Sequence, residues 1–153
     1  MLVWRLLPIA MLLFIGVLGC KSVQPNDVIG TWVMKDQSRN ELPREFKKAL
    51  AKIVVNADGT FVASELPEPL HPVPPYDMKV RMRLDSGSGV WKLASWEGAQ
   101  HLQLEFHDLA SADENSHGSY GFPLIVSRGW SAVTLSYALG DPDEGRSAEF
   151  EKR

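Results

Sequence analysis

The residues best suited to chemistry in this chain are scattered rather than gathered by a strict spacing. Asp141, Asp143 and Glu144 put three carboxylates into the turn Gly140-Asp141-Pro142-Asp143-Glu144-Gly145, and hard cations such as calcium take oxygen ligands of that kind. The loop lacks the remaining ligand spacing of an EF-hand, and Asp-Pro between glycines is also ordinary turn chemistry, so no resident metal is expected. The histidines His71, His101, His107 and His117 show no His-Glu-x-x-His spacing. His101 and His107 share one face of an alternating segment with Gln103 and Glu105, either a polar or metal-binding lining or a solvated strand face. No Gly-x-Ser-x-Gly elbow or similar context presents a nucleophile to a base, so neither covalent catalysis nor a cofactor is expected. Lys79, Arg81 and Arg83 alternate with Met78, Val80, Met82 and Leu84. Such a basic comb suits anionic headgroups, an acidic protein or a solubilising outer face.

The elements that must position these groups read mostly as strands, because the hydrophobic period is mostly two. A first strand covers Val28 to Met34. Leu42, Phe46 and Leu50 then fall four apart behind Pro43, which predicts a helix from about Pro43 to Lys52. Ile53-Val54-Val55 and Thr60-Phe61-Val62-Ala63 flank Asn56-Ala57-Asp58-Gly59, a hairpin connection. The prolines from Pro67 to Pro75 predict an extended loop that also carries Leu70, His71 and Tyr76, stiff enough to dock at little entropic cost. Ser86-Gly87-Ser88-Gly89 reads as a turn, Trp91 and Leu93 as the next strand, and Leu102, Leu104 and Phe106 as another. Leu109 to Ser119 reads as a loop. Leu124 and Val126, a turn at Arg128-Gly129, the alternation Val133, Leu135, Tyr137, Leu139, and a short strand at Ala148 and Phe150 complete the series. Eight or nine strands joined by short connections make an antiparallel up-and-down meander, and closing it into a barrel removes its exposed edges.

The first twenty residues stand apart. Arg5 is followed by the apolar run Leu6 to Leu18, shorter than the roughly 20 residues that span a bilayer, and the run ends in Val17-Leu18-Gly19-Cys20. Cys20 is the only cysteine, so no internal disulfide and no cysteine-based metal or redox site can form. This ending resembles the lipobox of bacterial lipoproteins. The resemblance implies a signal peptide at 1–19, cleavage behind Gly19, and acylation of Cys20. Several acyl chains anchor a protein stably where one does not. Lys21 after the cysteine is not the aspartate that favours inner-membrane retention, which implies the periplasmic face of an outer membrane. Residues 20–27 are then the lipidated cysteine and a short tether, and 28–153 the folded domain. Without Arg5 the chain keeps 15 basic residues against 19 acidic ones, a formal charge of −4 that disfavours nucleic acid as a partner.

Gly30-Thr31-Trp32 on the first strand, the Asp58-Gly59-Thr60-Phe61 hairpin and the meander after it resemble the lipocalin-like domains of small bacterial lipoproteins. The resemblance implies a barrel in which Trp32 packs across a closed end beneath a basic side chain from the last strand, with Arg146 as the candidate. The chain lacks a threonine-aspartate-tyrosine motif and places a helix between its first two strands, both departures from that pattern. Trp91 and Trp130, with Tyr76, Lys79, Arg81 and Arg83, are the candidate contact residues. Aromatic-rich barrels either hold an apolar ligand or are filled by their own side chains. The expected function is a membrane-anchored, non-enzymatic interaction module of the cell envelope acting through loops at one barrel end. The alternatives are a carrier or sensor of a small apolar ligand and an immunity protein against an envelope-targeted toxin.

Overall fold

A computed structural model describes residues 22–70, 81–110, 120–139, 143 and 145–153. The elements are α1 (Pro25–Val28), β1 (Gly30–Met34), α2 (Asp36–Glu41), β2 (Lys52–Val55), β3 (Thr60–Leu70), β4 (Arg81–Trp96), β5 (Ala99–Ala110), β6 (Tyr120–Arg128), β7 (Val133–Ala138) and β8 (Ser147–Lys152). Each strand pairs antiparallel with the next, and β8 returns to β1, so the sheet is a closed eight-stranded barrel. The meander expected from the alternating pattern therefore closes, and a short helix follows the first strand. Such a barrel is compatible with a lipocalin-like one.

Inward residues of all eight strands make one apolar cluster, in which Trp32, Phe61, Phe106, Phe150, Leu102, Leu104, Leu124 and Leu135 are fully buried. Each such side chain contributes about 1.5–3 kcal/mol on burial, which suits a domain that has no disulfide. Phe61 meets Phe106 edge-to-face at 4.9 Å, and Tyr137 meets Phe122 in the same way at 4.7 Å.

Four sequence expectations change. The helix lies at Asp36–Glu41, upstream of the predicted Pro43 to Lys52, because the residue before a proline disfavours helical geometry and Leu42 is extended at ψ 152°. Pro43 thus ends the helix rather than starting one, and hydrogen-bonded turns follow, Phe46 N donating to Pro43 O and Ala49 N to Phe46 O. Val28 closes α1, and the first strand begins at Gly30. Ser86-Gly87-Ser88-Gly89 is no turn but the middle of β4. A Cβ on Gly87 or Gly89 would fall on the carbonyl oxygen of Asp108 or Glu105, so these glycines let β5 press against β4 where the ladder shifts register. Pro67 and Pro69 lie within β3 beyond its last rung with β2, where among the described residues the strand pairs with β4 alone and a missing N–H costs little.

Candidate functional site

The two ends of the barrel are built differently. At one end α1 stoppers the interior. Val28 and Val23 are buried there, and the Trp32 indole donates from Nε1 to Val28 O at 2.7 Å. Lys152 of β8 sets its ammonium 5.7 Å from the Trp32 ring and donates to Asp27 O at 3.0 Å. Gly30, at φ +136°, makes room for it, since a Cβ there would lie 2.6 Å from Lys152 Cε. Lys152 thus stands where Arg146 was expected, and Arg146 precedes the opposite end of β8. The alternation Ala148, Phe150, Lys152 carried this signal, because it puts Lys152 on the inward face of the last strand.

Asp27 also ion-pairs with Arg128 at the end of β6. Val23 N donates to Gln100 Oε1 at 2.6 Å, and Gln100 Nε2 donates back to Val23 O at 3.0 Å. The segment read as a tether is therefore built into the fold from Val23 onward. Beside this end the hairpin before β3 is locked by Asp58, whose Oδ1 accepts from Thr60 N at 2.9 Å and Thr60 Oγ1 at 2.6 Å. Those bonds, the hydroxyl's first, hold the Asp58 carboxyl below its ordinary value of 3.8.

The tryptophans separate. Trp32 fills the interior. Trp91 is half-buried against the core and donates from Nε1 to Asn56 O at 2.8 Å. Trp96 stacks on His101 on the outer face, with ring centroids 3.6 Å apart and planes within 7°. Trp130, in the β6–β7 turn, is 106% exposed and fills nothing. Of the two candidate contact tryptophans, Trp130 presents its whole ring to solvent and Trp91 only part.

At the other end the interior turns polar. Trp91 and Leu93 face inward, and with no turn at residues 86–89 the alternation of β4 carries back to Gly89, Gly87, Asp85 and Arg83. The Asp85 side chain is 2% exposed and that of Arg83 18%, and Arg83 Nε lies 2.8 Å from Asp85 Oδ1. Arg83 thus lines the interior beside its carboxylate rather than standing on a solvated outer comb. Tyr137 reaches from β7 across to β3, its hydroxyl donating to Pro67 O at 2.6 Å.

Arg81 opens β4 opposite Leu70. Asp143 is exposed. Cys20, Tyr76, Lys79, Asp141 and Glu144 lie outside the described residues. His101 and His107 do not converge, because six residues of strand span about 20 Å and a bulge at His107 interrupts the face. Among the described residues no group of three His, Cys, Asp or Glu side chains is placed to hold a metal ion, and no helix is long and apolar enough to cross a membrane. Comparison with protein-family models, with curated proteins and with solved structures finds no match.

Proposed function

We propose that this protein is a lipid-anchored, non-enzymatic lipoprotein of the bacterial cell envelope, held through Cys20. It works as an interaction module through the loops at the barrel end away from the anchor. The observation that carries this reading is the fixed exit of the chain. Val23 is held to Gln100 at the stoppered end, so an anchor three residues earlier tethers that end. The connections from Leu70 to Arg81, Ala110 to Tyr120 and Ala138 to Ser147 all leave from the other. The barrel's apolar face points inward, while outward positions include Lys52, Lys92, Gln103 and Glu105, the reverse of the pattern a membrane-spanning barrel needs.

Intact mass of the protein purified from its host membrane tests the anchor. The expected result is a diacylated Cys20 and a soluble Cys20→Ser variant, and an unmodified thiol on a membrane-free protein would end the reading. Native mass spectrometry of the same material tests the module. A clean protein mass is expected, and a stoichiometric small-molecule adduct would move the assignment to a carrier of an amphipathic ligand. One observation favours that second reading, the Arg83–Asp85 pair lining the interior toward the end opposite α1, where a polar headgroup would find charge beside an apolar core.

A further inference from the structure

We infer that the stoppered end of the barrel rests in the headgroup layer of the membrane, with the Trp130 indole seated at the interface between headgroups and acyl chains. This rests on the anchor at Cys20 proposed above and adds a second, non-covalent contact to it. Trp130 sits in a turn closed by Gly129 N donating to Ala132 O at 2.8 Å, and its side chain is completely exposed. An indole is a flat apolar body with one N–H donor, and the membrane–water interface satisfies both parts at once.

Position argues for the same occupant. Gln100 pairs with Val126 across the β5–β6 ladder, and Trp130 follows Val126 by four residues, at most about 13 Å along the strand. Cys20 precedes Val23 by three residues, at most about 10 Å of extended chain. Both therefore stay close to Gln100, and acyl chains on Cys20 bring the β6–β7 turn down to the lipid. Trp96 ends β4 at the same barrel end and keeps a partly open face, 37% exposed, above its stack on His101.

The charges around this end favour a lipid surface over a strongly charged protein partner. Asp27, Asp58, Glu97 and Glu151 stand with Arg128, Lys152 and Arg153, and two of the cations are already engaged in the Arg128–Asp27 and Arg153–Glu151 pairs. A near-neutral rim around a bare aromatic suits zwitterionic headgroups.

The test uses full-length protein purified with its anchor, its Cys20 acylation read by intact mass, in protein-free phosphatidylcholine vesicles. Vesicles with and without bromine on the upper acyl carbons report tryptophan depth by quenching. The parent should be quenched, and Trp130→Ser should lose at least about half of the quenched amplitude, Trp32 being sealed in the core. If Cys20 is acylated and the two proteins are quenched equally or not at all, the docking is overturned while the anchor stands, and Trp130 becomes a candidate contact for a protein. An unmodified Cys20 overturns the anchor and the docking together.

Discussion

Charged side chains decide two local questions. The Asp85 carboxylate is sealed from water at 2% exposure with Arg83 beside it, so removing the cation alone leaves a buried charge without the guanidinium that pairs with it. Arg83→Met should destabilise the fold by roughly 2–3 kcal/mol in urea melts, the low side for a buried pair because Arg83 keeps 18% exposure. The double change Arg83→Met with Asp85→Leu should recover most of that loss, and a double variant as weak as the single one would show that the pair is not the cause. Asp58 poses a pH question. Its carboxyl lies below 3.8 in the folded chain because Thr60 donates to the charged form. The stabilisation from this lowered value is therefore complete above about 3.8 and fades as the pH falls through the folded value. Carboxyl NMR should find the Asp58 midpoint below 3.8, and Thr60→Val should move it upward; an unmoved midpoint would assign the shift to something other than the hydroxyl. Asp58 was visible as a turn residue from its neighbours Asn56 and Gly59. Asp85 was hidden, because its inward direction depends on the strand running unbroken through residues 86–89.

Element by element, glycine and proline gave the ambiguous signals. Glycine is used in turns and also where two backbones approach closely, and composition does not separate the uses. At Gly87 and Gly89 the approach is the cause, so Gly87→Ala or Gly89→Ala should each cost more than about 3 kcal/mol, with the added methyl meeting backbone rather than a movable side chain. Gly121→Ala is the control. Its Cβ would meet only Gln103 Nε2 at 3.3 Å, a long side chain that can swing away, and thermal melts should show a change within about 0.5 kcal/mol. Equal losses at all three positions would mean that the close approach of β4 and β5 is not what these glycines provide. Alternation identified every strand whose inner face is apolar, such as β5 with Leu102, Leu104 and Phe106. It failed for the helix, because Phe46, Ala49 and Leu50 repeat at helical spacing although Leu50 is 66% exposed and the segment consists of turns. Pro43 settled that competition in favour of the upstream residues.

At the scale of the whole molecule, closure is what separates the two ends and fixes which one the N-terminal segment leaves. The β4–β5 ladder carries long strands through many rungs, whereas β1 and β8 meet in three, Trp32↔Lys152, Val33↔Glu151 and Met34↔Phe150. The seam is extended by neighbours. Lys35 N donates to Glu149 O at 2.8 Å, Arg153 N donates to Thr31 O at 2.9 Å, and Ser38 Oγ in α2 accepts from Glu149 N at 2.9 Å. Lys35 also ion-pairs with Glu149 at 2.7 Å, so α2 continues the closure where β1 stops. Deleting Phe150–Arg153 would remove all three rungs, the fully buried Phe150 and the Lys152 cation over Trp32. Emptying a buried phenylalanine site alone costs about 3–5 kcal/mol, against a total stability of roughly 5–15 kcal/mol for a domain of this kind. Opening the seam adds bare strand edges to that loss. The truncated chain should therefore lose its cooperative thermal transition and its near-ultraviolet circular dichroism, rather than persist as an open sheet. A retained sharp transition with native near-ultraviolet signal would mean that β2 to β7 hold the fold without closure, and that the stoppered end does not depend on β8.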